Sequence, residues 1–176
     1  MSETNGLIIV FTGEGKGKTT AAMGMALRAC GQGMKVLLLQ FIKSGQRYGE
    51  LNAVKYLPGI EMVALGTGFV KNSPQDKMVE HRAAAREAIQ RAREEVSSGK
   101  WDMIILDEIN YAVDFGLIKE EEVLELLEAK PDTLHLVLTG RYVRDTIVEK
   151  AHLVTEMKKI KHAYNSGIKA QKGVEF

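Results

Sequence analysis

The sequence predicts an α/β fold in which a mostly parallel sheet is covered by helices on both faces. Two observations predict it. Short, continuous apolar runs rich in β-branched residues are typical of strands buried on both faces, and segments with helical patterns separate these runs along the chain. The chain has 176 residues, of which 45% are hydrophobic, and it contains no linker or repeat. We therefore expect one domain over residues 1–176, whose last segment, residues 158–176, is a basic tail.

The first half of the chain alternates predicted strands and helices. Residues 7–11 are a run of five apolar residues that ends in a glycine-rich turn, which predicts a buried strand. A helix rich in Ala and Met is expected over 19–30, because Gly31 and Gly33 stop it. The pattern then predicts a strand at 35–41, a short helix at 50–57 and a strand at 60–65.

The second half contains the longest predicted helix. Ser73 is a residue type that caps helices and Pro74 suits the first helical position, so we expect the helix to begin there and to end at Gly99. Apolar residues at helical spacing predict its buried stripe, namely Met78, Ala85, Ile89, Ala92 and Val96. The remaining elements are strands at 103–106, 134–138 and 152–157 and helices at 119–129 and 144–150.

Composition excludes several classes of protein. Lys and Arg number 24 against 23 Asp and Glu, and aromatic residues are only 6%, which gives no basic groove or stacking platform for nucleic acid. The single cysteine, Cys30, excludes an internal disulfide and a Cys-based zinc site and suits a reducing compartment. The sequence shows neither a signal-peptide pattern nor an apolar stretch long enough for a membrane helix. We expect a cytoplasmic protein whose partners include neither nucleic acid nor membrane.

A glycine-rich segment directly follows the first predicted strand. It matches the end of the phosphate-loop pattern G-x-x-x-x-G-K-[ST], although Thr12 stands where that pattern has its first glycine. The backbone N–H groups of such a loop bind phosphate, while Lys18 adds a positive charge and the Thr19 hydroxyl suits Mg²⁺ or Mn²⁺. These features predict a fold like that of the P-loop NTPases. The candidate nucleotide-binding residues in this segment are Gly13, Glu14, Gly15, Lys16, Gly17, Lys18, Thr19 and Thr20.

Two carboxylates follow the fourth predicted strand. Asp107 and Glu108 come after four apolar residues, which is the arrangement of the second half of a phosphate-loop nucleotide site. Together with Thr19 they are the candidate metal ligands, and Glu108 is also a candidate base. The two motifs predict binding of a nucleoside triphosphate with Mg²⁺, but they leave the reaction open. An ordinary NTPase or phosphotransferase that releases ADP would use the same motifs.

Several further segments of the sequence narrow the choice among these possible reactions. They comprise residues 10–20, 40–43, 67–69, 106–108, 139–141 and 161–173. With these segments the chain resembles the corrinoid adenosyltransferase family over nearly its whole length. The tail run GIKAQKG at 167–173 is the most diagnostic of them, because general NTPases have no reason to share it.

The resemblance implies transfer of the 5′-deoxyadenosyl group of ATP to cob(I)alamin or cobinamide, with release of triphosphate. It implies that Lys18 neutralises the leaving group, that Arg141 contacts the nucleotide or triphosphate, and that Phe69 lies at the corrin face. The candidate catalytic residues are therefore Lys18, Glu108 and Phe69. The family also implies a flavoprotein reductase as electron donor and a homodimer.

The chain departs from the family pattern at one position near the expected corrin face. Lys71 stands where the pattern has a tryptophan, and a lysine cannot supply the same apolar contact. Four further residues near strand ends are as readily structural as substrate-binding, namely Gln40, Lys43, Asn110 and Tyr111. The four histidines share no metal-ligand spacing; they are His81, His135, His152 and His162.

Overall fold

The sheet contains six parallel strands, whose order across the sheet is β3-β2-β4-β5-β1-β6. The computed structural model describes residues 5–44, 48–71 and 73–175. The strands are β1 (Ile8–Thr12), β2 (Val36–Gln40), β3 (Ile60–Ala64), β4 (Met103–Asp107), β5 (His135–Thr139) and β6 (Leu153–Glu156). The predicted parallel sheet is thus confirmed, and each predicted strand is present with its ends displaced by one residue or less.

Helices cover both faces of this sheet. They are α1 (Lys18–Gly31), α2 (Gly49–Ala53), α3 (Gln75–Ser97), α4 (Ile109–Asp114), α5 (Glu120–Glu128) and α6 (Asp145–Lys150). Two 3₁₀ helices are added at Val54–Tyr56 and Ala163–Ser166. Within the described residues, no helix combines the length and the apolar character needed to cross a membrane.

The core consists of two layers, one on each side of the sheet. In β1, Ile8 and Val10 belong to the buried layer that contains residues of α3, α5 and α6, whereas Ile9 and Phe11 belong to the layer that contains residues of α1. Successive strand residues point to opposite faces, so a strand covered on both sides must be apolar at every position. This burial explains why the strands are continuous apolar runs in the sequence rather than alternating patterns.

The start of α3 differs from the prediction. The helix begins at Gln75 with Pro74 as the residue before it, and the Ser73 hydroxyl donates to the backbone carbonyl of Phe69 at 3.0 Å instead of capping the helix. The prediction of Ser73 as the N-cap is therefore wrong. Of the predicted buried stripe, the residues that are buried are Ala85, Ile89, Ala92 and Val96, while Met78 is only partly buried.

Helix α4 has no counterpart in the sequence prediction. It is six residues long and begins directly after Glu108, whose φ of +63° turns the chain sharply out of β4. Two turns of helix are too short to establish a 3.6-residue repeat in the sequence. The consequence for the site is that a helix, rather than an open loop, follows the two carboxylates.

Gly66 allows the loop after β3 to lie directly on the backbone that follows β2. A Cβ atom at this position would overlap the carbonyl group of Ile42, which is backbone and cannot move aside as a side chain can. The amide of Gly68 also donates to the carbonyl oxygen of Ile42 at 2.9 Å. This contact fixes the start of the loop that carries Phe69.

We expect Gly66→Ala to lower the free energy of unfolding by about 1–3 kcal/mol, because the added methyl group forces the two backbone segments apart. The matched control is Gly24→Ala, since Gly24 lies in α1 with open space around it. Removing a helical glycine should raise stability by about 0.5–1 kcal/mol. Urea unfolding of both variants measures the difference, and equal stabilities would contradict this account of Gly66.

Candidate nucleotide site

The site lies where four neighbouring strands end. Because the strands are parallel, their last residues meet at one edge of the sheet, and ligands bind at such edges in α/β folds. Gln40 at the end of β2 is the register partner of Asp107 in β4. Thr139 ends β5 and is the register partner of Phe11 in β1, directly before the phosphate loop. Parallel pairing therefore brings together residues that are far apart in the sequence.

The phosphate loop connects β1 to α1 by a tight turn. Its left-handed positions are Gly13, with φ of +94°, and Gly17, with φ of +116°, which glycine adopts without steric cost. The ammonium group of Lys18 donates to the carbonyl oxygens of Gly13 at 2.6 Å and Gly15 at 2.7 Å. The lysine thus folds back along the loop, with its charge held beside these two carbonyl groups.

The loop packs against the chain that follows β6. The amide of Gly15 donates to the carbonyl oxygen of Met157 at 2.6 Å. A Cβ atom would lie 2.5 Å from that oxygen if added at Gly13 and 2.6 Å from it if added at Gly15. Both glycines are therefore required by close backbone contact, whereas Thr12 is the buried last residue of β1 and tolerates a side chain.

Asp107 is the hydrogen-bonding centre of the site. Its side chain is fully buried, and one carboxylate oxygen accepts from the hydroxyls of Thr19 at 2.8 Å and Thr139 at 2.6 Å. The other oxygen accepts from the side-chain amide of Gln40 at 3.0 Å. A buried carboxylate is stable when its oxygens are hydrogen-bonded. These three donors tie the start of α1 to the ends of β2, β4 and β5.

Glu108 lies beside this centre in a partly buried position. Burial, and after it the negative charge of Asp107, raise the pKa of its carboxyl group above the usual value, to about 6. The positive charges of Lys43, Lys18 and Arg141 oppose this shift of the pKa. Its own backbone amide donates to the Thr139 hydroxyl at 2.9 Å. Glu108 is thus a carboxyl group surrounded by three cations, with a pKa close to neutral pH.

The donors at the site fit a hard divalent cation. Mg²⁺ prefers oxygen ligands and binds through one or two carboxylates together with phosphate oxygens rather than in an all-protein cage. Thr19 and Asp107 supply adjacent oxygens, and Glu108 supplies a second carboxylate nearby. In the part of the chain that the structure describes, no cluster of three or more His, Cys, Asp or Glu residues could hold a metal by itself.

Arg141 lies on an exposed turn after β5. The preceding residue, Gly140, has φ of +130°, and a Cβ atom there would lie 2.8 Å from the backbone nitrogen of Tyr111 in α4. Burial lowers the pKa of the Lys18 ammonium, and the positive charge of Arg141 lowers it further, against opposing effects of Glu108 and Asp107. The structure therefore places Arg141 close enough to both Lys18 and Glu108 to act on them electrostatically.

Two tyrosines extend the site beyond the residues that the motifs identify. Tyr142 has φ of +56°, which is uncommon for a bulky residue, and its hydroxyl donates to a carboxylate oxygen of Glu14 at 3.4 Å. The ring centroids of Tyr142 and Tyr111 are 6.3 Å apart. Nothing in the sequence pattern indicated Tyr142, because a left-handed conformation at a non-glycine residue leaves no compositional signal.

The remaining predicted site residues make no described hydrogen bond with Asp107. Lys16 is bound by the C-terminal tail, since its ammonium group donates to the carbonyl oxygen of Val174 at 2.7 Å and pairs with Glu175 at 2.6 Å. Thr20 is exposed in the first turn of α1. Phe69 is 89% exposed, and no described hydrogen bond or ring contact joins its side chain to the phosphate loop.

The family model and the similar proteins that match this chain all point to the same family. The family model described as "ATP:corrinoid adenosyltransferase BtuR/CobO/CobP" matches residues 4–176. A corrinoid adenosyltransferase of Escherichia coli strain K12 is 40% identical over 174 residues, which cover 99% of this chain and 87% of that protein. A corrinoid adenosyltransferase of a Sinorhizobium species is 43% identical over 178 residues, covering 99% and 82% of the two chains.

Among solved structures, the flagellar accessory protein FlaH from Methanocaldococcus jannaschii shares the fold. The TM-score is 0.61 at 12% sequence identity, and the match covers 87% of this chain and 71% of FlaH. At such low identity the likeness concerns the arrangement of helices and strands alone. It agrees with the P-loop NTPase-like fold that the glycine-rich segment predicts.

The raised pKa of Glu108 predicts a pH-dependent stability difference between the protein and its Glu108→Gln variant. The folded-state pKa of about 6 lies above the ordinary glutamate value of 4.5, so the folded state binds the proton more tightly than the unfolded state does. Stability from this group is present below about pH 4.5 and is lost as pH rises through about 6. At pH 7 the free energy of unfolding of the Glu108→Gln variant should exceed that of the parent by about 1–2 kcal/mol.

Chemical unfolding at a series of pH values from 4 to 8 measures this difference. Glu87→Gln, at an exposed position in α3 where the side chain makes no described hydrogen bond or ion pair, serves as the control for removing one negative charge. A Glu108→Gln effect that stays constant from pH 4 to pH 8 would contradict the assignment of the raised pKa.

Proposed function

The chain belongs to the ATP:corrinoid adenosyltransferase family, and from this premise we propose how its residues transfer the 5′-deoxyadenosyl group of ATP to a corrinoid. The observation that carries the proposal is that the family match spans the chain while the Lys18 loop and the Thr19–Asp107 pair are intact. The reaction occurs at carbon. The cobalt(I) electron pair forms a Co–C bond to C5′, the C5′–O bond breaks, and triphosphate leaves with the bonding pair.

The first task of the site is to bind the leaving group. We propose that backbone amides of the phosphate loop and of the first turn of α1 surround the triphosphate, except for the Gly15 amide, which is bonded to Met157. We propose also that Lys18 shifts from the loop carbonyls to the phosphate oxygens. Its two hydrogen bonds to Gly13 and Gly15 hold the ammonium group beside the loop, so a short movement is sufficient. Charge placed in advance where negative charge accumulates lowers the barrier without reorganisation.

A divalent cation would be held by Thr19, Asp107 and Glu108. When bound, Mg²⁺ or Mn²⁺ supplies positive charge to the triphosphate oxygens. Gln40 and Thr139 hold the Asp107 carboxylate in a fixed orientation, because each donates a hydrogen bond to it. We propose that Arg141, exposed beside Lys18, adds a further contact to the nucleotide or triphosphate.

The second task is to bind the corrin ring. Phe69 is an aromatic side chain that is 89% exposed, so its ring is accessible to a substrate that lies against this loop. We propose that Phe69 packs below the corrin ring in place of the lower axial ligand of cobalt. Ligation sets the reduction potential of such a cofactor, so removing the ligand makes Co(II) easier to reduce.

We propose further that the protein acts in the cytoplasm as a homodimer and receives its electron from a flavoprotein reductase. A single cysteine, Cys30, is compatible with a reducing compartment. The edge strand β6 exposes Leu153 and Val154, which are apolar residues that a second copy could cover. Sedimentation analysis of the purified protein tests the dimer.

Lys18→Ala should lower the rate of adenosylation at least about a hundredfold, as expected when a pre-positioned charge is removed from a developing anion. The assay contains protein, MgATP and chemically reduced cob(I)alamin under anaerobic conditions, with spectra and phosphate products followed in time. Lys35→Ala is the control, because Lys35 is an exposed lysine directly before β2. It therefore lies at the amino ends of the strands, whereas the phosphate loop lies at their carboxyl ends. Formation of ADP without a light-sensitive cobalt–carbon product would overturn the proposed reaction in favour of an NTPase.

Phe69→Ala should lower the rate from cob(II)alamin and a reductant about tenfold more than the rate from cob(I)alamin, a difference of about 1.4 kcal/mol in barrier. Lys71→Trp should act in the opposite direction, because it supplies the apolar side chain that the family pattern has at this position. Equal effects of Phe69→Ala on both starting materials would show that Phe69 has no part in activating cobalt(II).

A further inference from the structure

A buried histidine binds both ends of the loop that carries Phe69. We call residues 67–73 the aromatic loop. Within it, residue 72 lies outside the described residues. His81, in the second turn of α3, is 6% exposed. Its Nδ1 atom lies 2.6 Å from the Thr67 hydroxyl, and its Nε2 atom lies 3.1 Å from the Ser73 hydroxyl. One ring therefore connects the two ends of the aromatic loop to the helix.

The direction of each hydrogen bond follows from the hydrogens available. The Ser73 hydroxyl donates its single hydrogen to the carbonyl oxygen of Phe69 at 3.0 Å, so it can only accept from His81. Nε2 of His81 must then carry the proton, and in the neutral ring Nδ1 accepts from the Thr67 hydroxyl. The result is a directed series of three bonds that runs from Thr67 through His81 and Ser73 to Phe69.

The series ends on the backbone of the residue whose side chain is exposed. The neighbouring Val70 is buried in the core, and the Gly68 amide is bonded to Ile42, so the loop is also anchored on either side of Phe69. Those anchors fix where the loop sits. The bond from Ser73 acts on the carbonyl of Phe69 itself, and it thereby limits rotation of the backbone that directs the aromatic ring.

We propose that His81 is the positioning residue that sets the direction of Phe69 toward the corrin substrate. The inference rests on the proposed function, in which Phe69 contacts the corrin ring. His81 touches no reacting atom, because its two ring nitrogens are occupied by Thr67 and Ser73. Its effect is on the orientation of Phe69 and hence on the use of the corrin substrate, and it leaves the binding of ATP unchanged.

The test compares His81→Gln with His81→Leu. A glutamine amide carries an acceptor and a donor at a spacing close to that of the two ring nitrogens, so it can replace both hydrogen bonds. Leucine fills similar space and replaces neither bond. Hydrogen exchange followed by mass spectrometry on peptides that cover the aromatic loop should be about tenfold faster in His81→Leu, and it should be restored to within about twofold in His81→Gln.

The kinetic measurements separate positioning from a general loss of structure. His81→Leu should raise the KM for the corrinoid, or lower the rate from cob(II)alamin, about tenfold while the KM for ATP stays within about twofold. Ser73→Ala, which removes only the bond to Phe69 and its link to His81, should show the same pattern. It keeps the proposal testable if His81→Leu does not fold.

Trp101→Phe is the matched control. It removes a hydrogen bond of 2.6 Å from the Trp101 indole to Glu95, a buried polar residue of the same helix at the end away from the aromatic loop. This variant should leave exchange in the aromatic loop and the corrinoid KM unchanged.

The failures of the two proposals are distinguishable. Absence of adenosylcobalamin with the parent protein contradicts the proposed function, whereas exchange in the aromatic loop is measured without any substrate. Unchanged exchange in both His81→Leu and Ser73→Ala overturns the role of His81. A loss of ATP affinity in these variants that equals the loss of corrinoid affinity also overturns it, because positioning of Phe69 would not alter the phosphate loop.

Discussion

The buried carboxylate of Asp107 is the interaction on which the rest of the site depends. An ionisable group without exposed surface must have its oxygens hydrogen-bonded, and Thr19, Thr139 and Gln40 supply those bonds. Each donor belongs to a different element, so satisfying one carboxylate fixes three elements relative to β4. The hydrogen bonds that satisfy this buried carboxyl group therefore also set the geometry of the proposed triphosphate and cation site.

The phosphate loop is constrained from the opposite side as well. The chain after β6 lies so close to Gly13 and Gly15 that no side chain fits at either position. These glycines serve the packing of the loop against Met157 as much as they serve the curvature that phosphate binding requires. The loop is thus held between Asp107 through Thr19 on one side and the backbone after β6 on the other.

The sequence was sufficient to predict the six strands, because most of them are covered on both faces and are apolar runs. It also indicated Lys18, Thr19 and Asp107 as site residues, because a phosphate loop and an acidic residue each follow a strand. The structure joins Thr19 to Asp107 and holds Lys18 against the loop, and their roles in binding phosphate and a cation stay predictions. The partners Thr139 and Gln40 could not be assigned in this way, since they become neighbours of Asp107 only through the order of the strands. Their positions at strand ends were the available signal. Their bonding roles, like that of His81, required the tertiary structure.

The strand order has a consequence for the time course of folding. Strands β2 and β4 can pair once residue 107 has been synthesised, whereas β1, which leads into the phosphate loop, lies between β5 and β6. Strand β1 therefore has no neighbouring strand to pair with until β5, residues 135–139, has left the ribosome. Pairings between distant segments form slowly and leave unpaired edges exposed in the meantime. The nucleotide site is thus completed last, and a nascent chain that stops before β5 has a phosphate-loop sequence without the sheet that shapes it.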